Sequence, residues 1–442
     1  MYIKRNIDKQ LLDWKYSKKL KPLLLRGARQ VGKSSSVREL GKTFEHFLEI
    51  NFEKKEHQDV KKIFEKYSSP KPIIDELYAM FGTFIVSGKT LIFMDEIQSC
   101  PDAISSLRYF YEEMPDLHVI AAGSLLEFAL QELPMFGVGR IRSMFMYPLS
   151  FDEYLNSLNL SRLVDKIAVS TPQNPLSEPL HKECLKHLTR FIAIGGMPEV
   201  VSTFVSGGSL QECQQILNDL VMTYTDDFAK YKRRVPTSRL REVFISIMEQ
   251  TGSKFVYSRA AENTKHESIK TAVELLIMAG LAHTITHSAA NGVPLAAELN
   301  HKHQKIIALD TGIMQQILKL DISKLLLGET LESINKGAIV EMFVGLEILK
   351  KMPCDAHAQL FYWQREQKGC QAEVDYLIEN GTKIVPLEVK AGTRGAMQSL
   401  YRFIDEKNVD KGFRTSLENF GKIGKIDIYP IYAVSNILLG SE

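Results

Sequence analysis

Two sets of residues in this chain have the types and spacings that suit chemistry on phosphates. The first is Gly27-Ala28-Arg29-Gln30-Val31-Gly32-Lys33-Ser34, followed by Ser35. Gly27 and Gly32 let the backbone curl so that successive N–H groups point inward, where they and a helix N-terminus meet the charge of a polyphosphate. Lys33 would reach the outer phosphates, and the Ser34 hydroxyl would ligate Mg²⁺. Such a loop needs a metal anchor and a group that activates water. Asp95 and Glu96, at the end of the apolar run Thr90-Leu91-Ile92-Phe93-Met94, supply both: Asp95 would hold the Mg²⁺ shell and Glu96 would polarise the attacking water.

The second set lies in the last quarter of the chain. Asp375, Glu388 and Lys390 follow the pattern D-x₁₂-E-x-K, with Glu341 on a helical stretch upstream. Asp375 and Glu388 would hold a second divalent cation with Glu341 as a further ligand, and Lys390 would position water and balance charge developing on a phosphate.

Each set requires particular elements to position it. Leu23–Arg26 reads as a buried strand entering the glycine-rich turn and Ser35–Leu40 as the helix leaving it. The apolar segments Leu23–Arg26, Phe44–Phe52, Leu91–Met94 and Leu117–Ala122 alternate with helical stretches up to about Leu155, which predicts a parallel sheet covered by helices on both faces. Gly123-Ser124 ends the last of these strands. A helix over Asp8–Tyr16 would pack Leu11, Leu12 and Trp14 on that domain. Ser157–Glu178, with Ser170-Thr171-Pro172-Gln173-Asn174-Pro175, reads as a turn-rich insertion, and Leu185–Ile194 and Leu210–Tyr224 as helices of a lid, separated by Gly195-Gly196-Met197-Pro198.

In the middle block Lys230, Lys232, Arg233, Arg234, Arg239 and Arg241 crowd together. The helices Tyr257–Asn263 and Lys265–Gly280 and a ribbon of Ala282–His287 with Lys305–Ala308 follow, the order of a winged helix-turn-helix. It would turn Lys265, His266 and Lys270 outward and Ile269, Val273, Leu276 and Ile277 inward. Such a block docks on DNA, or serves as a connector or protein interface. In the tail a helix over Gly337–Lys350 and strands at Leu360–Trp363, Glu373–Ile378 and Ile384–Leu387 would carry the second set.

The glycine-rich loop, Met94-Asp95-Glu96-Ile97-Gln98, Gly123-Ser124, and Gly137-Val138-Gly139-Arg140-Ile141-Arg142 leading to Pro148-Leu149-Ser150-Phe151 closely resemble the prokaryotic AAA-type P-loop ATPases that carry a C-terminal nuclease-like domain. Gly196-Met197-Pro198-Glu199 and Asp310-Thr311-Gly312 extend the resemblance, and the tail motif resembles the restriction-endonuclease-like superfamily, although Val374 precedes Asp375 where the idealised motif has proline. The resemblance implies an α/β fold in four parts: a P-loop ATPase core over 1–156, a helical lid over 157–229, a winged-helix domain over 230–325 and a restriction-endonuclease-like domain over 326–442. It implies that ATP and Mg²⁺ bind at 27–35, that Ser124 senses the terminal phosphate or orients water, and that Arg140, with Arg142 as competitor, is an arginine finger or sensor. The expected function is ATP hydrolysis coupled to a DNA or protein partner. The alternatives are an ATP-gated metal-dependent nuclease and a nucleotide-dependent DNA-binding regulator that does not cut. A kinase fits less well, since Asp95-Glu96 suits activation of water.

The totals agree with this layout and narrow it little. At 442 residues the chain exceeds one core, and a net charge of +2 leaves any nucleic-acid affinity to local patches. Met1–Asn6 lacks the apolar core of a signal peptide, and Ala272–Ala282, the most apolar long segment, contains Glu274 and is too short to span a bilayer. A cytoplasmic protein with no membrane partner is expected. The five cysteines show no C-x-x-C spacing, so neither a disulfide framework nor a zinc site is suggested. If Arg140 acts in trans, the protein self-associates.

Overall fold

The structure, a computed structural model, describes residues 2–124, 126–132, 139–232, 234–261, 264–320, 337–365, 372–392 and 395–439. They form two compact units. The first is Met1–Pro148 with Met278–Gly280 and Pro353–His357; the second is Leu149–Ile277, Leu281–Met352 and Ala358–Glu442. The expected boundary after 156 therefore falls inside the second unit, which also takes in the lid helices.

In the first unit the strands are β1 (Leu23–Arg26), β2 (His46–Asn51), β3 (Thr90–Asp95), β4 (His118–Ala122) and β5 (Arg142–Phe145), all parallel, in the order β2-β3-β4-β1-β5. Every residue of β3 and β4 is buried, because both faces of a parallel sheet are covered by its crossover helices. Leu24, Ile50, Ile92, Met94, Val119 and Ala121 anchor the core on one side. The helix Ile7–Lys15 buries Ile7, Leu11 and Trp14 and leaves Leu12 exposed, since positions spaced by four and three share a helix face and Leu12 does not lie on it. β5 escaped sequence reading because Arg142-Ser143-Met144-Phe145 is short and only its third residue is buried.

The second unit joins helices to one mixed eight-stranded sheet. Its strands are β6 (Ala282–Ser288), β7 (Leu299–Ala308), β8 (Leu360–Gln364), β9 (Glu373–Asn380), β10 (Lys383–Val389), β11 (Gly412–Ser416), β12 (Gly421–Ile423) and β13 (Ile426–Pro430), ordered β12-β13-β11-β10-β9-β8-β6-β7. The helices Tyr257–Ala260 and His266–Met278 followed by the antiparallel β6–β7 ribbon stand in the expected order, and a further helix, Thr237–Glu249, precedes them. The ribbon is not a separate wing, however. β6 pairs in parallel with β8, Ile285 opposite Leu360 and His287 opposite Tyr362, so the expected middle and tail domains share one sheet. The open edge of β6 carries donors and acceptors that need partners, and β8 supplies them.

Ser157–Glu178 is likewise more ordered than a turn-rich insertion. It contains the helix Ser161–Ala168, and Asn436 and Asn419 donate to the carbonyls of Ile167 and Leu176. The described cysteines are unpaired thiols, and among the described residues no helix is long and apolar enough to cross a membrane.

The segments Gly195-Gly196 and Asp310-Thr311-Gly312 find their reason here. Asp310 caps the helix Thr311–Ile317 by accepting from the N–H groups of Gly312 and Ile313, and it accepts from Gly196 N at 2.6 Å. A Cβ on Gly195 would stand 2.1 Å from Asp310 Oδ1, and one on Gly196 would stand 2.4 Å from the Leu149 carbonyl. The close approach thus demands glycine at both positions. Replacing Asp310 by alanine strands three buried N–H groups. Urea unfolding is expected to show a loss of about 3 kcal/mol or more, each stranded donor costing about 1–3 kcal/mol.

Candidate functional site

The chemistry predicted from sequence converges at the carboxyl edge of the first unit's sheet. Because the strands are parallel, the ends of β1, β2, β3 and β4 open on the same side, where a ligand crevice forms. Beyond β1 the loop turns through Gly27 at φ +141°, Gln30 at +63° and Gly32 at +101°, and the helix Lys33–Gly41 begins. Left-handed residues among right-handed ones aim backbone N–H groups into a common concavity. A Cβ on Gly27 would lie 2.2 Å from the Met146 carbonyl oxygen, so only glycine fits. Ala28 and Val31 are buried and hold the loop down, Arg29 is half-buried, and Gln30 and Ser35 are exposed.

Lys33 is buried and donates to the carbonyls of Gly27 at 2.9 Å and Ala28 at 2.7 Å. Burial pulls its pKa down to about 8, against the opposing pull of Glu96 and Asp95. Ser34 Oγ lies 3.1 and 3.0 Å from the two oxygens of Asp95. A hydroxyl and a carboxylate side by side are the hard oxygen donors that Mg²⁺ takes, so these residues fit the ion. Burial, and then the charge of Glu96, raise the Asp95 pKa, a condition that a cation would reverse.

Glu96 stands next to this pair with a left-handed backbone, φ 50° and ψ 45°, a conformation that costs a non-glycine residue free energy. Gln98 Nε2 donates to Glu96 Oε2 at 2.6 Å and so orients that carboxylate. Gly123 is needed for the same reason: a Cβ there would be 2.1 Å from Gln98 Oε1. Ser124 is buried two residues beyond Ala122, which pairs with Asp95, so it stands on the same edge as the carboxylates.

Several neighbours went unassigned from sequence. Asn51, at the end of β2, donates to Asp95 Oδ2 at 3.2 Å. Arg5 donates to the carbonyls of Val31 at 2.8 Å and Tyr147 at 2.7 Å, bracing the loop, and Tyr2 contacts Ser36 of the helix behind it. Arg26 and Glu127 form an ion pair. No local motif announces these residues, because each acts on a group far away in the chain.

Arg140 and Arg142 lie elsewhere. Arg142 opens β5 opposite Leu23, at the amino edge of the sheet, and pairs with Asp355 at 3.0 Å; Arg140, just before it, pairs with Glu112. Neither stands with the loop on the carboxyl edge of its own chain. Gly137 and Val138 fall outside the described residues.

In the second unit Asp375 and Glu388 sit on the adjacent antiparallel strands β9 and β10, with Glu341 on the helix Gly337–Lys351. Lys390 Nζ donates to Glu388 Oε1 at 2.6 Å, and Val389 N donates to Asp375 Oδ2 at 2.8 Å. A cation from an unexpected source stands among them: Lys305 of β7 reaches Glu341 Oε1 at 2.8 Å and Glu373, with Asp375 Oδ1 at 3.9 Å. Among the described residues no group of three or more His, Cys, Asp or Glu side chains is arranged to hold a metal ion. These residues therefore do not fit the second divalent cation expected there.

Of the basic cluster, Lys230 pairs with Asp227 and Arg239 with Glu242, Lys232 and Arg241 are exposed, and Arg233 falls outside the described residues. On the helix His266–Met278, His266 and Lys270 are exposed and Ile269, Val273 and Leu276 buried, as the periodicity predicts; Ile277 is only half-buried.

Comparison with known families places the AAA domain model on residues 19–155. Two models described as domains of unknown function, DUF8612 and DUF4143, match residues 185–324 and 336–434. No curated protein matches the chain significantly. Among solved structures, a Walker-type ATPase of Pyrococcus abyssi is similar at 16% identity over 72% of this chain and 96% of its own, with a TM-score of 0.45. A signal-transduction ATPase with numerous domains and a tetratricopeptide-repeat sensor, from Pyrococcus horikoshii, is similar at 11% identity over 79% of this chain and 48% of its own, with a TM-score of 0.28.

The burial of Lys33 sets a pH dependence. Phosphate favours the ammonium, so binding raises a pKa that stands at about 8 in the free protein. The Lys33 contribution to ATP binding should therefore be constant well below that value and weaken as pH rises through it, by up to about tenfold per pH unit until the raised pKa of the bound state is reached. Calorimetry in buffers of different ionisation enthalpy should register uptake of a proton by the protein near pH 9.

Proposed function

We propose that this chain, whose N-terminal segment is a P-loop ATPase domain of the AAA type, hydrolyses ATP and uses its nucleotide state to control how the second unit engages a partner. The observation that carries this reading is the meeting of Ser34, Asp95 and Glu96 at one edge of the sheet, with Glu96 held by Gln98. The loop N–H groups and Lys33 would take the phosphates, Lys33 exchanging its carbonyl partners at Gly27 and Ala28 for phosphate oxygens. Ser34 and Asp95 would hold Mg²⁺, which supplies charge neutralisation across the outer phosphates. Glu96 would accept a proton from the attacking water, while Ser124 orients that water or senses the terminal phosphate.

Of the two arginines read as a finger, neither stands at this edge of its own chain. Arg140, at the opposite edge, serves only if it enters the site of a neighbouring copy, which makes self-association part of the reading.

For the partner we favour DNA. The exposed Lys265, His266 and Lys270 begin a helix in the position of a recognition helix, and Lys232 and Arg241 add exposed positive charge in the same block. A protein partner is the competing occupant; the metal-dependent nuclease alternative loses ground, because Lys305 stands among the tail carboxylates.

Three measurements test this. Lys33→Ala should abolish ATP turnover, and full activity in that variant would remove the proposal. Glu96→Gln should retain ATP binding and lose turnover by about 10²-fold or more, the usual size of a general-base contribution. Duplex DNA should raise steady-state turnover of the intact chain, and turnover indifferent to DNA would transfer the partner role to a protein.

A further inference from the structure

The second unit contains a charge cluster whose parts come from four elements. Lys305 leaves β7, its ammonium lying 5.2 Å from the centroid of the Tyr362 ring on β8, and ends at the carboxylates of Glu341, on the helix Gly337–Lys351, and of Glu373 and Asp375 on β9. Its side chain is 2% exposed, one of the largest fully buried side chains among the described residues. An ammonium withdrawn from water to that degree needs close anionic partners to exist in its charged form. Burial by itself would lower the Lys305 pKa, but Glu341, Asp375 and Glu373 together raise it above the ordinary lysine value.

The carboxylates depend on the lysine in turn. Burial raises the pKa of Glu341 and of Asp375, and the ammonium opposes that rise in both. Asp375 Oδ2 is already taken by Val389 N and Glu388 Oε1 by Lys390, while the buried Glu388 Oε2 lies outside the reach of Lys305 and has no hydrogen-bond partner among the described residues. A divalent ion takes six or more oxygens converging at about 2.0–2.6 Å and keeps positions open for water and substrate. Here the point on which Glu341, Glu373 and Asp375 converge holds a nitrogen.

We propose that the Lys305 ammonium is the resident cation of the Glu341, Glu373 and Asp375 cluster, occupying the place where a divalent metal would sit. A lysine neutralises the carboxylates and ties β7 to β9 and to the Gly337–Lys351 helix. It offers no coordination position at which water becomes a metal-bound nucleophile. The inference concerns the second unit alone and stands whether or not the ATPase reading holds.

The test uses the full-length, nucleotide-free protein and Mn²⁺ as the probe, followed by electron paramagnetic resonance of the free ion and by thermal melting. Wild type and Asp375→Asn should take up the same amount of Mn²⁺, because the cluster holds none in either. Lys305→Met removes the charge and keeps the bulk of the stem. It should melt at lower temperature, gain a Mn²⁺ site at least about tenfold tighter than any in wild type, and recover melting temperature with millimolar Mn²⁺. Adding Asp375→Asn to Lys305→Met should remove that new site. The proposal fails if wild type holds a Mn²⁺ ion that Asp375→Asn loses, or if a folded Lys305→Met protein gains no site. If Lys305→Met does not fold, the comparison of wild type with Asp375→Asn decides by itself.

Discussion

An ammonium removed from water must find oxygen atoms, and this requirement organises both candidate sites. Lys33 and Lys305 are each almost wholly buried, yet they meet the requirement differently. Lys33 rests on two neutral carbonyls of its own loop, and burial draws its pKa down. Lys305 rests on carboxylates of Glu341 and Glu373, and its pKa is raised. In the proposed function the first arrangement exchanges its carbonyl partners for a phosphate. The second has no such incentive, since any exchange would abandon full negative charges for the same number of contacts.

The rest of each unit supports these placements. In the first, the parallel strands deliver Asn51, Asp95, Ser124 and the loop to one edge, because the carboxyl ends of parallel strands coincide. The sheet tolerates no side chain where the chain passes close to itself. Gly27 against the Met146 carbonyl and Gly123 against Gln98 are therefore fixed by contact distance as much as by any role toward a ligand. In the second unit the helix Gly337–Lys351 is buried nearly all round, so its two glutamates must be answered by partners. Glu341 meets Lys305; Glu347 accepts from Phe151 N and from Lys350.

That second pair belongs to a polar framework around the start of the unit. Lys350 donates to the Leu149 carbonyl, Leu149 N donates to Gly196 O, and Gly196 N donates to Asp310. Segments distant in sequence, near 150, 196, 310 and 350, thus satisfy one another's buried hydrogen-bonding groups. Gly196 and Asp310, which the sequence offers only as part of a family resemblance, are parts of this structural clasp.

The sequence by itself determined the local elements and the chemistry of the first site. Glycine spacing, an apolar strand and a helix start announce a phosphate loop, and Asp95-Glu96 after a buried strand announce its acidic partners, because both signals are complete within a few residues. Helical periodicity likewise foretold which side of His266–Met278 is buried. Only the tertiary structure decided which strands share a sheet, that Asn51 donates to Asp95, that Arg140 lies at the far edge, and that Lys305 reaches the tail carboxylates. Those outcomes depend on groups brought together across tens to hundreds of residues, where the deciding quantities are the desolvation of a charge and the distance to its partner. Neither is written in residue order.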